Sequence, residues 1–304
     1  MQTLTLQTAR TGNGLTKPAG FLNEPQRLAL NVYRELLRLK NIVTILLIVI
    51  PLLSAAQKQG NIWYFGDHAG VNFNSGSPVA IVDGKTYLCI NQLHNEGQSV
   101  ISDSAGTLLF YTNGEVVWNK NHQIMPNGSG LLGNISSTQS SIIVPMPKSE
   151  RYYYIFTTDA WACGGTLNGL RYSVVDICAD ALRGDVISNE KNILLLDWTC
   201  EKVAVTRHAN GNDYWILTHK FNSNEFYAFL LTSNGITDTV ISAIGSVHSG
   251  SIVHSMGQLK FSPNGQRIAI GLASGAIGPA DSLRTLDVFD FNKSTGVISN
   301  FLKL

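Results

Sequence analysis

From about residue 60 onward, apolar and polar positions alternate in short runs that end in polar, glycine-bearing turns, and the same order of runs returns four times. The copies start near Ser99, Ser140, Lys202 and Gly257. Their separations, about 40 to 60 residues, bracket a four-stranded propeller blade with loops of unequal length. The second strand of a copy is the clearest part: Tyr152 to Thr157, Asp213 to Thr218 and Arg267 to Leu272, with preceding strands such as Glu201 to Thr206 and Met256 to Phe261. The pattern predicts an all-β propeller, because a blade cannot bury both faces alone and must stack on its neighbours around an axis.

Ahead of the first full copy, Asn61 to Phe65 and Val79 to Val82 read as strands of a partial blade, separated by turn clusters at Asp67 to Gly70 and Asn74 to Pro78. The first copy runs through Ser99 to Ser102, Leu108 to Thr112 and Val116 to Asn119, with Asn113-Gly114 predicted as a type I′ hairpin turn. The second has Ser140 to Val144, Tyr152 to Thr157, Gly169 to Ile177 and Asn192 to Leu196, lengthened by a polar linker from Asp180 to Lys191. The third has Lys202 to Thr206, Tyr214 to Thr218 and Glu225 to Thr232; the fourth has Gly257 to Phe261, Arg267 to Leu272 and Asp287 to Phe291. Four copies and a partial blade fall short of the common seven, so residues 57–304 are expected to form a truncated propeller, a self-contained five-bladed ring being the alternative.

Residues 1–56 follow another pattern. Glu24 to Lys40 reads as an amphipathic helix opened by Pro25. Ile42 to Leu53 is a run of about a dozen mostly apolar residues, too short to span a bilayer, which takes roughly 20, but suited to a signal-peptide core. Arg34, Arg38 and Lys40 supply a positive flank and Ser54-Ala55-Ala56 the small residues of a cleavage site, which makes Gln57 the expected mature N-terminus. A leader placed this late points to a true initiator near Leu39, a genuine N-terminal extension being the other reading.

Composition narrows the partners. The chain has 22 Lys+Arg against 21 Asp+Glu, a formal charge of +1, and no basic run in the repeats, which argues against nucleic acid. Charged residues are only 14% of 304 while turn residues are abundant, a balance common in secreted all-β proteins. Cys89, Cys163, Cys178 and Cys200 permit disulfides in three pairings or remain buried thiols, and without a CxxC pair no metal site is predicted.

Several stretches carry a more specific signal: Trp63-Tyr64-Phe65-Gly66, Phe73-Asn74-Ser75-Gly76, Ile101-Ser102-Asp103-Ser104, Val117-Trp118-Asn119 with His122 to Gly128, Ser137-Thr138-Gln139-Ser140, Cys200-Glu201-Lys202, and His208 to Trp215. In these the chain resembles the N-terminal propeller-like region of gliding-motility-associated surface proteins that carry a type B sorting domain of the type IX secretion system. The resemblance covers residues 60–304 and implies export across the inner membrane, then passage to the cell surface by secretion machinery that reads a C-terminal sorting domain. Two departures stand out: no such domain lies within this chain, and Glu96-Gly97-Gln98 stands where the family tends to place Glu-Gly-Cys.

Seven histidines invite an acid–base or metal reading, yet none has the spacing of a recognised metal site; His248 and His254 read as part of a Ser/Gly-rich linker. Asp103, Asp159, Asp176 and Asp213 recur at strand ends, where a carboxylate accepts backbone N–H groups in a turn. Ser140 lacks a nucleophile elbow, and most aromatic residues are expected between blades. Asp103, His122, Gln139, His208 and His248 are the channel or rim candidates for ligand binding, with no catalytic residue and no cofactor assigned. The expectation is an exported, non-catalytic cell-surface module for adhesion to an extracellular glycan or protein in gliding or surface colonisation. The alternative is a propeller hydrolase or lyase of extracellular polysaccharide, which needs carboxylates and His to converge.

Overall fold

A computed structural model describes residues 24–52, 58–86, 97–160, 168–250, 252–272 and 285–304. The chain divides into two compact units, Met1–Ala56 and Gln57–Leu304. In the first unit, helix α1 (Glu24–Leu52) runs without a break through both the amphipathic stretch and the apolar run that the pattern separates. Between Pro25 in its first turn and Pro51 in its last there is neither Gly nor Pro to interrupt the backbone ladder. Among the described residues no helix is long and apolar enough to cross a membrane.

The second unit is a propeller-like all-β body of five antiparallel sheets. The first holds β1 (Ile62–Phe65), β2 (Ala69–Asn72) and β3 (Val79–Ile81). The second holds β4 (Ser99–Ser102), β5 (Leu108–Thr112), β6 (Val116–Asn119) and β7 (Ile124–Ser129). In the third, β8 (Ser141–Pro145), β9 (Tyr152–Thr158) and β10 (Leu170–Asp176) pair in turn, and β10 takes both β11 (Asp185–Val186) and β12 (Ile193–Leu196) on its far edge. The fourth is β13 (Thr199–Arg207), β14 (Tyr214–Lys220), β15 (Ser223–Thr232) and β16 (Gly235–His248); the fifth is β17 (Leu259–Phe261), β18 (Arg267–Leu272), β19 (Thr285–Phe291) and β20 (Ile298–Lys303).

In every sheet the strands pair in chain order outward from the first, save that β12 returns to β10, so β4, β8, β13 and β17 are inner strands, at the four positions where the repeat begins. Each of four hydrophobic clusters joins two consecutive sheets: Tyr64 with Trp118, Phe110 with Ile155, Phe156 with Ile216, and Trp215 with Phe291. Among the described residues no such cluster joins the fifth sheet to the first.

Two local expectations are corrected. Asn113-Gly114 is not a type I′ turn: Gly114 alone has positive φ, because Asn113 Oδ1 accepts the N–H groups of Glu115 and Val116 at 3.0 and 2.9 Å and holds a wider turn. The stretch before His248 is not a linker but the long edge strand β16, which runs 14 residues and pairs with β15 from Thr232↔Gly235 to Ser223↔His248.

The inner strands are tied together by Ser137-Thr138-Gln139-Ser140. Thr138 Oγ1 lies 3.0 Å from the carbonyls of both Glu201 and Gly257, and its N–H donates to Glu201 Oε2 at 3.0 Å. Gln139 donates to Val203 O at 3.1 Å and accepts from Leu259 N at 2.8 Å. One short motif thus links the third, fourth and fifth sheets.

Candidate functional site

The predicted candidates do not converge; the structure distributes them over several sheets. Asp103 caps its own turn, accepting from Ala105 N and Thr107 N at 2.9 and 2.8 Å. Gln139 spends its amide on the inner strands. His208 sits in an exposed turn, accepting from Asn210 N and lying 3.1 Å from Ser294 O. The turn role expected of Asp213 belongs instead to Asn210, whose Oδ1 accepts the N–H groups of Asn212 and Asp213. His248 is buried in the fourth sheet. Cys178 and Cys200 are free thiols; Cys89 and Cys163 lie outside the described residues.

His122 enters an acid–base network that reaches solvent, at the seam of the first two sheets. It occupies the turn between β6 and β7, where Asn119 Oδ1 accepts from Asn121 N and Gln123 N, and it has a φ of 59°, unusual for a residue with a side chain. Its Nε2 lies 3.3 Å from Asp83 Oδ2, and Tyr64 donates to the other carboxylate oxygen at 2.9 Å. The Tyr111 hydroxyl accepts from Lys85 N at 3.1 Å and lies 3.1 Å from His122 Nδ1. With its oxygen accepting from Lys85, the Tyr111 O–H donates to Nδ1, which leaves Nε2–H to donate to Asp83. Burial holds both tyrosines well above the ordinary phenol value, and Tyr64 is raised further by its bond to Asp83, so both stay neutral donors. Asp83 is the member most open to solvent, its side chain 57% exposed against 20% for His122.

A second group is sealed inside the fourth sheet: Cys200, Lys202, His219 and His248 are all buried. Cys200 Sγ lies 3.8 Å from Nδ1 of each imidazole, the two rings stack at 4.0 Å, and Lys202 Nζ is 3.2 Å from His248 Nδ1 and 3.1 Å from His254 O. Desolvation pushes the Cys200 thiol up to about 12 and His219 down to about 3, and lowers His248 and Lys202 as well, so burial disfavours every charged form.

An open concavity of about 800 Å³ lies where the third sheet meets the Ser233-Asn234-Gly235 turn of the fourth. Tyr152, Tyr154 and Tyr172 line it beside Glu190, with the rings of Tyr154 and Tyr172 centred 5.2 Å apart. It offers aromatic faces but no His beside its carboxylate.

Of these groups, sequence reasoning found His122 and His248 and missed their partners. Asp83 is an unmarked polar residue after a short strand, and the four sealed side chains come from three separate strands with no local spacing to betray them.

No protein-family model matches the chain, and no curated protein matches it. Solved structures of like fold include a periplasmic gluconolactonase from Pseudomonas aeruginosa, with 14% identity over 78% of this chain and 62% of that one and a TM-score of 0.44. Candidate 6-phosphogluconolactonases from Bacteroides uniformis (13% identity, 79% and 66% coverage, TM-score 0.37) and Bacteroides fragilis (12%, 79% and 66%, TM-score 0.38) are also similar. The chain spans less than two thirds of the length of each. These structures are described as enzymes, whereas the sequence leads to the expectation of a non-catalytic module. That expectation rested on a propeller fold without a contiguous motif, and neither excludes catalysis, because sites are assembled from separated loops on many folds. The substrates named for those proteins are theirs alone.

Proposed function

We propose that the chain is an exported propeller enzyme, a hydrolase or lyase of extracellular polysaccharide, with Asp83 as the group that takes a proton from the substrate side. The observation that carries this reading is the Asp83–His122–Tyr111 relay: an open carboxylate with one oxygen bonded to Tyr64 and the other facing His122, whose second nitrogen is fixed by Tyr111. A base oriented by a second group, itself oriented by a third, is the arrangement that acid–base catalysis requires. In hydrolysis Asp83 would take a proton from the water whose oxygen bonds to the sugar carbon as the glycosidic C–O bond breaks; in elimination it would take a proton from a sugar carbon as the neighbouring C–O bond breaks. In either case the leaving sugar oxygen takes a proton from solvent, and His122 Nε2–H would stabilise the carboxylate before the transfer. The apolar run Ile42 to Leu53 and the residues shared with type IX-secreted surface proteins support an extracellular setting.

The test is a screen of residues 57–304 against acidic and neutral polysaccharides, followed by Asp83→Asn. Turnover reduced about 100-fold with an unchanged melting temperature is the expected result. Activity that survives Asp83→Asn, or a folded wild-type protein inactive on the whole panel, overturns the reading. Unsaturated sugar ends in the product separate lyase from hydrolase.

A further inference from the structure

The sealed group in the fourth sheet has no role in the relay at Asp83, and its composition is unusual for a core. Four nitrogen and sulfur donors face one another there, where apolar side chains of the same volume would fill the space at no desolvation cost. His219 shows the cost directly, since its Nε2 is buried with no hydrogen-bond partner. What the imidazole offers is its other edge, which turns Nδ1 toward the thiol.

We infer that Cys200 Sγ, His219 Nδ1, His248 Nδ1 and Lys202 Nζ form a closed four-coordinate site for one zinc-class divalent ion. The spacing fits. Two donors on a tetrahedral zinc ion, with bonds of about 2.3 Å to sulfur and 2.0–2.1 Å to nitrogen, stand about 3.5 Å apart for S and N and about 3.3 Å for N and N. The observed separations are 3.8 Å from Sγ to each Nδ1 and 3.2 Å from Lys202 Nζ to His248 Nδ1. Lys202 keeps a proton for His254 O, which orients the amine from outside.

The backbone supplies a second, independent argument, because two of the three strands that deliver donors, β13 and β16, are bulged there. Between the pairs Thr199↔Lys220 and Val203↔Thr218, residues 200–202 of β13 face His219 alone, which brings Cys200 and Lys202 to the same partner. Between Ser223↔His248 and Glu225↔Ala243, β16 carries extra residues just before His248. That second bulge is built around Gly245 at φ 90°, where a Cβ would fall 2.5 Å from Phe289, and is pinned by Ser246 N donating to Asp287 at 3.0 Å. Bulges re-aim side chains at the expense of ladder bonds, and here two of them re-aim onto one point. With all four side chains buried and all four positions filled from the protein, the site matches structural rather than catalytic zinc. Coordination sends the thiol proton, and any proton on Lys202, to solvent.

Metal content of the purified chain and titration with Co(II) alone test the inference. The expected result is one ion per chain that survives desalting, and a thiolate-to-cobalt absorption band that persists when Cys89, Cys163 and Cys178 are all replaced by Ser. Loss of the band in that triple variant would place the metal at another thiol and overturn the assignment. A folded wild-type chain with neither bound zinc after zinc supplementation nor a cobalt band would overturn it as well, and so would an ion removed by desalting. In the triple-Ser background Lys202→Met should weaken cobalt retention at least tenfold, whereas undiminished retention would remove Lys202 from the site.

Discussion

The seam network at Asp83 and the sealed group at Cys200 are built from similar side chains and face opposite physical demands. At the seam, each polar atom has a partner and the chain of bonds ends at a carboxylate in solvent. In the fourth sheet the donors face one another and a backbone carbonyl, and burial presses them toward neutrality. Titratable groups cluster in both, so perturbed protonation alone does not identify an active site; access to a substrate separates them.

The sharpest way to break this comparison is to truncate one side chain in each place. His219→Ala, which empties space against Phe226 and the His248 ring, should cost about 2 to 5 kcal/mol in chemical denaturation, and Asp83→Ala under 1 kcal/mol. Equal losses would show that the seam network is structural. His122→Gln sharpens the seam reading: turnover should fall about tenfold or more with its pH profile displaced, since His122 positions Asp83, and a fall with an unmoved profile would assign His122 to packing.

A third measurement lies between the two sites. Thr138→Val removes the hydroxyl that contacts Glu201 and Gly257 and should cost about 1 to 3 kcal/mol, because backbone groups are left unpaired at the centre of the body. The smallest effect expected is alkaline. Tyr64 and Tyr111 are raised when folded, so the folded state holds protons that the unfolded chain releases near pH 10; their contribution is complete below about pH 10 and is lost as pH rises through the raised values. Tyr111→Phe should flatten that decline in a denaturation series, and an unchanged slope would dismiss the tyrosines as its source.

How much of this was written in the sequence depends on the kind of signal. Ser99–Ser102, Leu108–Thr112, Val116–Asn119 and Arg267–Leu272 fall where the pattern puts them, since each places apolar residues in an inter-sheet cluster. Ile124–Ser129 hid because Pro126, Asn127 and Gly128 are turn formers within an edge strand. Gly235–His248 hid because its exposed edge is rich in Thr, Ser and Asp rather than apolar residues. The sites were legible only in part for a related reason. His122 draws notice as a residue type, but Asp83 gains meaning from a neighbour about forty positions away, and such pairing leaves no local periodicity.

Because, among the described residues, the apolar clusters link each sheet only to the next along the chain, the body should behave as a linear array when it opens. Amide hydrogens report this directly. The first and fifth sheets each share a cluster with a single neighbour, whereas the second, third and fourth are held on two sides. Exchange should therefore proceed from both ends inward, with Ile155 and Ile216 among the last positions to take up deuterium.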